Sequence, residues 1–218
     1  MSTPSFFFFR AVIRMLIPDV TGVLLAGGKS SRMGQDKRFL RIGDRTLLDR
    51  GLRTVHRLFQ YVCVVIAQDS PPLSLTVPVL RDIVPSCGSL GGLYTGLHEA
   101  STPHIFVAAC DMPFLNVNLI KYMIGFKEEA DIIVASWNNR IQPTHAIYSK
   151  RCVPVLEDML RRRQVKIQNA FHHPSLTVRV ITESEVRPID PEGRSFLNVN
   201  NPADLEAARL LSDEARDS

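Results

Sequence analysis

The sequence has no C-x-x-C pair: its four cysteines, Cys63, Cys87, Cys110 and Cys152, are scattered, which argues against a zinc ribbon or a disulfide scaffold. They read as reduced thiols of a cytoplasmic protein. No run approaches the roughly 18 apolar residues that span a bilayer, so no membrane partner is expected. Phe6-Phe7-Phe8-Phe9 does not read as an export signal. No basic residue precedes it, Arg10 and Arg14 interrupt the apolar stretch, and no small-residue cleavage site follows. Residues 1–18 are expected to form a loosely ordered extension, with Met15 as an alternative start. Internal repeats and Pro/Gly-rich seams are also missing, which predicts one domain over residues 19–212 and a short tail over residues 213–218.

What is present is a globular composition. With 45% hydrophobic and 22% charged residues in a chain of 218, a core can be buried and native disorder is excluded. The net charge of +4 is unevenly spread. Arg10 to Arg57 holds eleven basic and four acidic residues, and Glu183 to Ser218 nine acidic and four basic. An anionic ligand therefore belongs to the N-terminal third, although Arg41 to Arg57 reads better as a solvated helix face. No RNP-type aromatic signature or zinc-finger spacing accompanies the charge, so no nucleic-acid partner is expected.

From Asp19 onward, apolar runs of strand length alternate with stretches of helical period. Val20 to Ala26 reads as a buried strand ending in Gly27-Gly28. Leu47, Leu48, Leu52, Val55, Leu58 and Phe59 then fall on one helical face. Strands follow at Tyr61–Ala67, Val77–Leu80, Ile105–Ala109, Asp131–Ser136, Thr144–Tyr148 and Val178–Thr182. Helices follow at Leu90–Ala100, Asn116–Phe126, Arg151–Arg163 and from Pro202, where Asn201 suits the N-cap. The alternation predicts an α/β fold of Rossmann-like type: a doubly wound, mostly parallel sheet with helices on both faces. Ligands of such sheets bind at the carboxyl ends of the strands.

Two segments carry chemistry at such ends. Leu24 to Lys37 runs a strand straight into two glycines, whose backbone can approach phosphate oxygens unobstructed, with the cations Arg32 and Lys37 nearby. Neither G-x-x-x-x-G-K-[ST] nor G-x-G-x-x-G fits it, so it is some other phosphate loop. Asp111 follows the apolar run Ile105 to Cys110, and Pro113 stops the strand. A carboxylate so placed suits Mg2+, which takes one or two protein carboxylates and completes its shell with substrate phosphates and water.

Leu25-Ala26-Gly27-Gly28-x-Ser30-x-Arg32-Met33-Gly34-x-Asp36-Lys37 resembles the signature loop of the molybdenum cofactor guanylyltransferases. The resemblance continues through Arg81-Asp82, Gly88-Ser89-Leu90-Gly91-Gly92-Leu93, Cys110-Asp111-Met112-Pro113, Gln142-Pro143-Thr144 and Phe196-Leu197-Asn198-Val199-Asn200-Asn201-Pro202. It implies transfer of GMP from Mg2+-bound GTP to the phosphate of molybdopterin, with release of pyrophosphate. Molybdoenzymes or their chaperones would be further partners. It also implies roles for residues. Leu25, Ala26, Gly27, Gly28, Lys37, Asp82 and Asp111 bind nucleotide; Asp111 holds the metal; Lys37 and Arg32 oppose phosphate charge; and Gln142, Asn198 and Asn200 face the acceptor. Asp82 is assigned to guanine or ribose, and a carboxylate accepting from guanine's two donors would reject adenine. His145 beside this region reads as a structural or binding residue, since an attacking phosphate is already ionised. Arg161-Arg162-Arg163 with Lys166 reads either as a hold for the acceptor's phosphate or as an exposed helix end.

The chain departs from the pattern in two places. Gly88-Ser89-Leu90 replaces a common Gly-Pro-Leu, and Ile66-Ala67-Gln68 stands where relatives offer an Asn to the base, with Gln68 the candidate substitute. Three alternatives stay open: a cytidylyltransferase acting on the same pterin, a sugar-nucleotide pyrophosphorylase, and a nucleotide-binding scaffold without catalysis. Ala26-Gly27-Gly28 favours guanine by resemblance, because the cytidylyl relatives usually read Ala-Ala-Gly there.

Overall fold

In the computed structural model, which describes residues 15–27 and 36–217, strands and helices alternate as the apolar pattern predicts. Gly28, Arg32 and residues 1–14 of the expected extension lie outside the described residues. The chain opens with β1 (Ile17–Leu25), then a small hairpin, β2 (Arg41–Ile42) and β3 (Arg45–Thr46), then α1 (Leu47–His56). β4 (Phe59–Ile66), β5 (Val79–Arg81), α2 (Gly88–Glu99), β6 (His104–Ala109) and α3 (Val117–Ile124) follow. The remainder is β7 (Ile132–Trp137), β8 (Arg140–Ser149), α4 (Val153–Arg161), β9 (Val178–Ile181), α5 (Glu183–Val186) and α6 (Pro202–Asp217).

Several boundaries move. The backbone N–H of Ile17 donates to the Leu58 carbonyl at 2.8 Å, so Ile17 and Pro18, read as extension, belong to β1. Residues 213–217, read as tail, continue α6. Leu58 and Phe59 keep helical spacing by coincidence. α1 ends at His56 on an Arg57 cap, and Phe59 starts β4, stacking on Phe106 at 5.8 Å.

The seven-stranded sheet has the order β5-β4-β1-β6-β8-β7-β9. All strands run the same way except β8, which is antiparallel to both neighbours. The turn dictates this exception. Asn138 and Asn139 are the only residues between β7 and β8, and both adopt positive φ, 50° and 58°. A two-residue turn of that hand returns the strand beside itself, and Asn tolerates it.

Alternate residues of the central strands feed two cores. Val20, Leu24 and Phe106 pack with Leu48, Val55, Leu119 and Met123 on the face covered by α1 and α3. Val23, Leu25 and Val107 pack with Leu93, Leu97, Leu156 and Leu160 on the face covered by α2 and α4. A third cluster joins Leu40, Ile42 and Leu47 to Val199, Leu205 and Ala208. It seats α6 against the small hairpin and so fixes the segment that leads into that helix. Because the chain winds outward from β1 through α1 and returns beside it through α2, the strand order reverses at β1, and a crevice opens past its carboxyl end.

Candidate active site

Backbone pairing sets the crevice. The Ala26 N–H donates to the Val65 carbonyl at 2.8 Å and the Cys110 N–H to the Leu25 carbonyl at 2.9 Å, so β1 stays locked between its neighbours to its last residue. Ala26 and Gly27 then line a cleft of about 270 Å³. A Cβ on Gly27 would sit 3.0 Å from the Ala67 backbone nitrogen; glycine is what permits this close approach. Asp111 follows β6, and Asp82 follows β5, its N–H donating to the Ile66 carbonyl at 2.9 Å. Both carboxylates therefore reach the cleft from the carboxyl edge, as do Gly88, Ser89 and Gly92 of the first turns of α2. Gly88 takes φ +57° there, a conformation costly for other residues.

Lys37 enters from a short 3-10 turn, Lys37–Phe39, capped by the Asp36 carboxylate, which accepts from the Arg38 N–H at 3.0 Å. Its Nζ lies 3.4 Å from Asp111 Oδ2 and donates to Asn200 Oδ1 at 2.8 Å. The Val199 N–H donates to the Asp111 carbonyl at 2.9 Å, and Asp204 Oδ2 accepts from the N–H groups of Asn200 and Asn201 at 2.8 and 3.1 Å. The segment before α6 is thereby fastened to the end of β6, and three distant stretches of chain meet at one ammonium group.

Burial shapes the electrostatics. It pushes the Asp82 carboxyl up to about 6. It also raises the Asp111 carboxyl, against the Lys37 charge that lowers it. Cys110, beside Asp111, is driven by burial to about 12 and stays a neutral thiol. Asp111 Oδ1 and Asp82 Oδ1 are buried without a hydrogen-bond partner. A carboxylate oxygen withheld from water and left open suits a hard cation that completes its shell with other oxygens, so the residues present fit Mg2+. Among the described residues no cluster of three or more His, Cys, Asp or Glu could hold a metal alone.

The other expected residues separate into groups. Leu25, Ala26, Gly27, Lys37, Asp82 and Asp111 share the cleft with Asn198 and Thr144. Gln142 does not reach it. It lines an adjoining recess of about 490 Å³ beside Trp137, and Asn198 borders both spaces. Gln68 lines a third recess, of about 640 Å³, which shares Gly27, Asp82, Gly88 and Ser89 with the cleft. His145 is fully buried on β8 between Phe106 and Phe196, edge-on at 5.3 and 5.2 Å. Burial drops its imidazole to about 4, which keeps it neutral and structural. Arg161 and Arg162 pair with Glu157 and Asp158 on the exposed side of α4, away from the cleft. Arg38 is the cleft residue that sequence reading passed over; lying beside Lys37, it has no pattern of its own.

A family model described as a MobA-like NTP transferase domain matches residues 22–175. The chain belongs to this family. The match runs from within β1 to beyond α4 and therefore includes both carboxylates and Lys37. A molybdenum cofactor guanylyltransferase of Desulfosudis oleivorans is 36% identical over 195 residues, 87% of this chain and 94% of that protein. A probable molybdenum cofactor guanylyltransferase of Pelotomaculum thermopropionicum is 33% identical over 196 residues, 90% of this chain and 95% of that one. The crystal structure of molybdopterin-guanine dinucleotide biosynthesis protein A from Archaeoglobus fulgidus superposes with TM-score 0.78 at 23% identity, over 89% of this chain and all of that one. A cytidylyltransferase of Thermus thermophilus, which acts on 2-C-methyl-D-erythritol 4-phosphate, superposes with TM-score 0.65 at 18% identity, over 88% of this chain and 98% of that one. The MobA-like chain is thus a nucleotidyltransferase. Its fold alone does not choose the base, because a cytidylyltransferase shares it.

Proposed function

We propose that this chain transfers GMP from Mg2+-bound GTP to the terminal phosphate of molybdopterin-type molybdenum cofactor, forming the guanine dinucleotide cofactor and pyrophosphate. An acceptor phosphate oxygen attacks the α-phosphorus, and the bond to the bridging β-phosphate oxygen breaks. The observation that carries the reading is the meeting of Lys37 and Asp111, 3.4 Å apart at the mouth opened by Gly27. Lys37 places a fixed cation beside oxygens that gain charge in the transition state. Asp111 would hold the metal through its open oxygen, and bound Mg2+ supplies positive charge to the phosphate oxygens and the departing pyrophosphate. Gly27 brings backbone against the phosphates, while Gln142 and Asn198 line the recess proposed for the pterin. As an expected partner, GTP fits the names borne by the curated relatives. The scaffold reading is disfavoured by the retention of Lys37 and Asp111 together.

Pyrophosphate release with molybdopterin as acceptor tests the assignment. GTP should exceed CTP in kcat/KM by about 100-fold, in line with the roughly 1–3 kcal/mol of discrimination that one bidentate contact to a base edge supplies. Preference for CTP would establish the cytidylyl alternative instead.

The base is proposed to enter the recess bounded by Gln68 and Asp82, where ionised Asp82 Oδ1 would accept from guanine's N–H donors. The carboxyl sits near 6 in the folded chain against an ordinary 3.8, so acidification protonates it and removes an acceptor. KM for GTP should therefore rise as pH falls through 6. At pH 5 the ionised fraction is about one-tenth, and KM should be about tenfold higher than at pH 7.5. Asp82→Asn should flatten that profile; a profile unchanged by the substitution assigns the base to other groups. The linked effect on stability has the opposite sense. A raised carboxyl binds its proton more tightly when folded, so its contribution is largest below pH 4 and is lost as pH rises through 6.

A further inference from the structure

Among the described residues, Arg38 is the one Arg or Lys that counts as buried, at 6% exposure. It lines the same cleft as Lys37 and Asp111. Its Nε donates to both Asp36 oxygens at 2.9 Å, and its Nη2 donates to Oδ2. That fork holds the Asp36 carboxyl below its ordinary range. The other side of the guanidinium is unused, for Nη1 is withdrawn from water and has no acceptor.

Burying a guanidinium is costly unless its charge is balanced and its donors are met. Asp36 balances the charge but meets only two of the three nitrogens. If the pair served the fold alone, an orphaned donor would be a defect without compensation. Six buried side-chain atoms lack partners among the described residues, and three of them, Arg38 Nη1, Asp82 Oδ1 and Asp111 Oδ1, belong to residues lining this cleft. Two are acceptors awaiting a donor or cation. The third is the complementary donor, and a cleft that receives phosphates supplies its acceptor.

We propose that Arg38 is a phosphate ligand of the cleft, donating from Nη1 to a non-bridging oxygen of a bound phosphate. The inference rests on the nucleotidyltransfer reading for the identity of the ligands. The oxygen belongs either to the nucleotide's polyphosphate or to the acceptor's terminal phosphate. A guanidinium suits the position because one edge can stay clamped to Asp36 while the remaining nitrogen faces the anion, a division that a lysine ammonium cannot make.

Calorimetric binding of GTP, inorganic tripolyphosphate and molybdopterin to the full chain separates these cases. The set is wild type, Arg38→Gln, Asp36→Asn and the double variant Asp36→Asn/Arg38→Gln. The double variant removes both charges, so it leaves no unpaired buried ion even if the single Arg38→Gln chain folds poorly. Loss of one charge-assisted hydrogen bond should weaken binding about tenfold or more. If the ligand is the nucleotide, Arg38→Gln and the double variant lose affinity for GTP and tripolyphosphate together, and molybdopterin binding is unchanged. If it is the acceptor, only molybdopterin weakens. Asp36→Asn, which keeps the guanidinium but loosens its clamp, should lose less affinity than Arg38→Gln for the same ligand. Wild-type affinity of the double variant for all three ligands would overturn the proposal and reduce Arg38 to a counter-charge for Asp36. Binding of tripolyphosphate but not GTP by wild type would instead break the base assignment and leave Arg38 standing.

Discussion

Asp111→Asn should lower kcat for pyrophosphate release by about 10²–10³-fold, the usual cost of removing a preorganised charge from a reacting centre. The fold should not suffer. Burial raises the Asp111 carboxyl above its ordinary 3.8 despite the adjacent Lys37, so the ionised group is held against a desolvation cost that a neutral amide does not bear. Thermal melting of the variant at pH 7.5 should match or exceed wild type while turnover collapses. Steady-state rates at several Mg2+ concentrations check the metal role, because excess metal should recover little of the lost rate. Unchanged turnover would sink the assignment of Asp111.

Lys37→Ala should cost a similar factor, about 10²–10³ in kcat, and Lys37→Arg should not restore it. The ammonium sits between Asp111 Oδ2 and Asn200 Oδ1 at 3.4 and 2.8 Å, a spacing that fits a compact point charge rather than a planar fork. Because Lys37 and Asp111 act on the same developing charge, the double variant Lys37→Ala/Asp111→Asn should be little slower than either single one. Single-turnover measurements with saturating GTP would show the effect on the chemical step. Additive losses would mean that the two groups work independently.

The parts of this architecture legible in the sequence were those governed by local repetition. Ile105 to Ala108 is apolar at every position because both faces of the strand are covered, and such a run announces a buried parallel strand. Asp111 stood out because it follows that run. The reversed direction of β8 is encoded only in Asn138-Asn139, two polar residues whose left-handed conformations are not visible in a pattern of hydrophobicity. The small hairpin escaped notice because its strands have two residues each, too few to show alternation. Leu58 and Phe59 misled for the converse reason, since their spacing extends a helical period beyond the Arg57 cap where the chain has already turned.

At the site, sequence order concealed the contacts that matter. Asn200, read from the resemblance as facing the acceptor, also sets its carboxamide on Lys37, 163 positions earlier, a contact that no spacing in the sequence announces. Arg38 carried no signal because a basic residue after Lys37 is by default solvated. Only the bidentate Asp36 pairing and the burial of the guanidinium distinguish it. Local pattern announces elements; the partners of a charge are set by tertiary packing.

The late position of Asn200 has a consequence for how the protein matures during translation. The last strand of the sheet closes at Ile181, so a nascent chain paused soon afterwards holds every strand and both cleft carboxylates. It has not yet synthesised the amide that meets Lys37, or the Val199 N–H that fastens the end of β6. The surroundings of Lys37 are therefore completed only when the final stretch of the chain has been made.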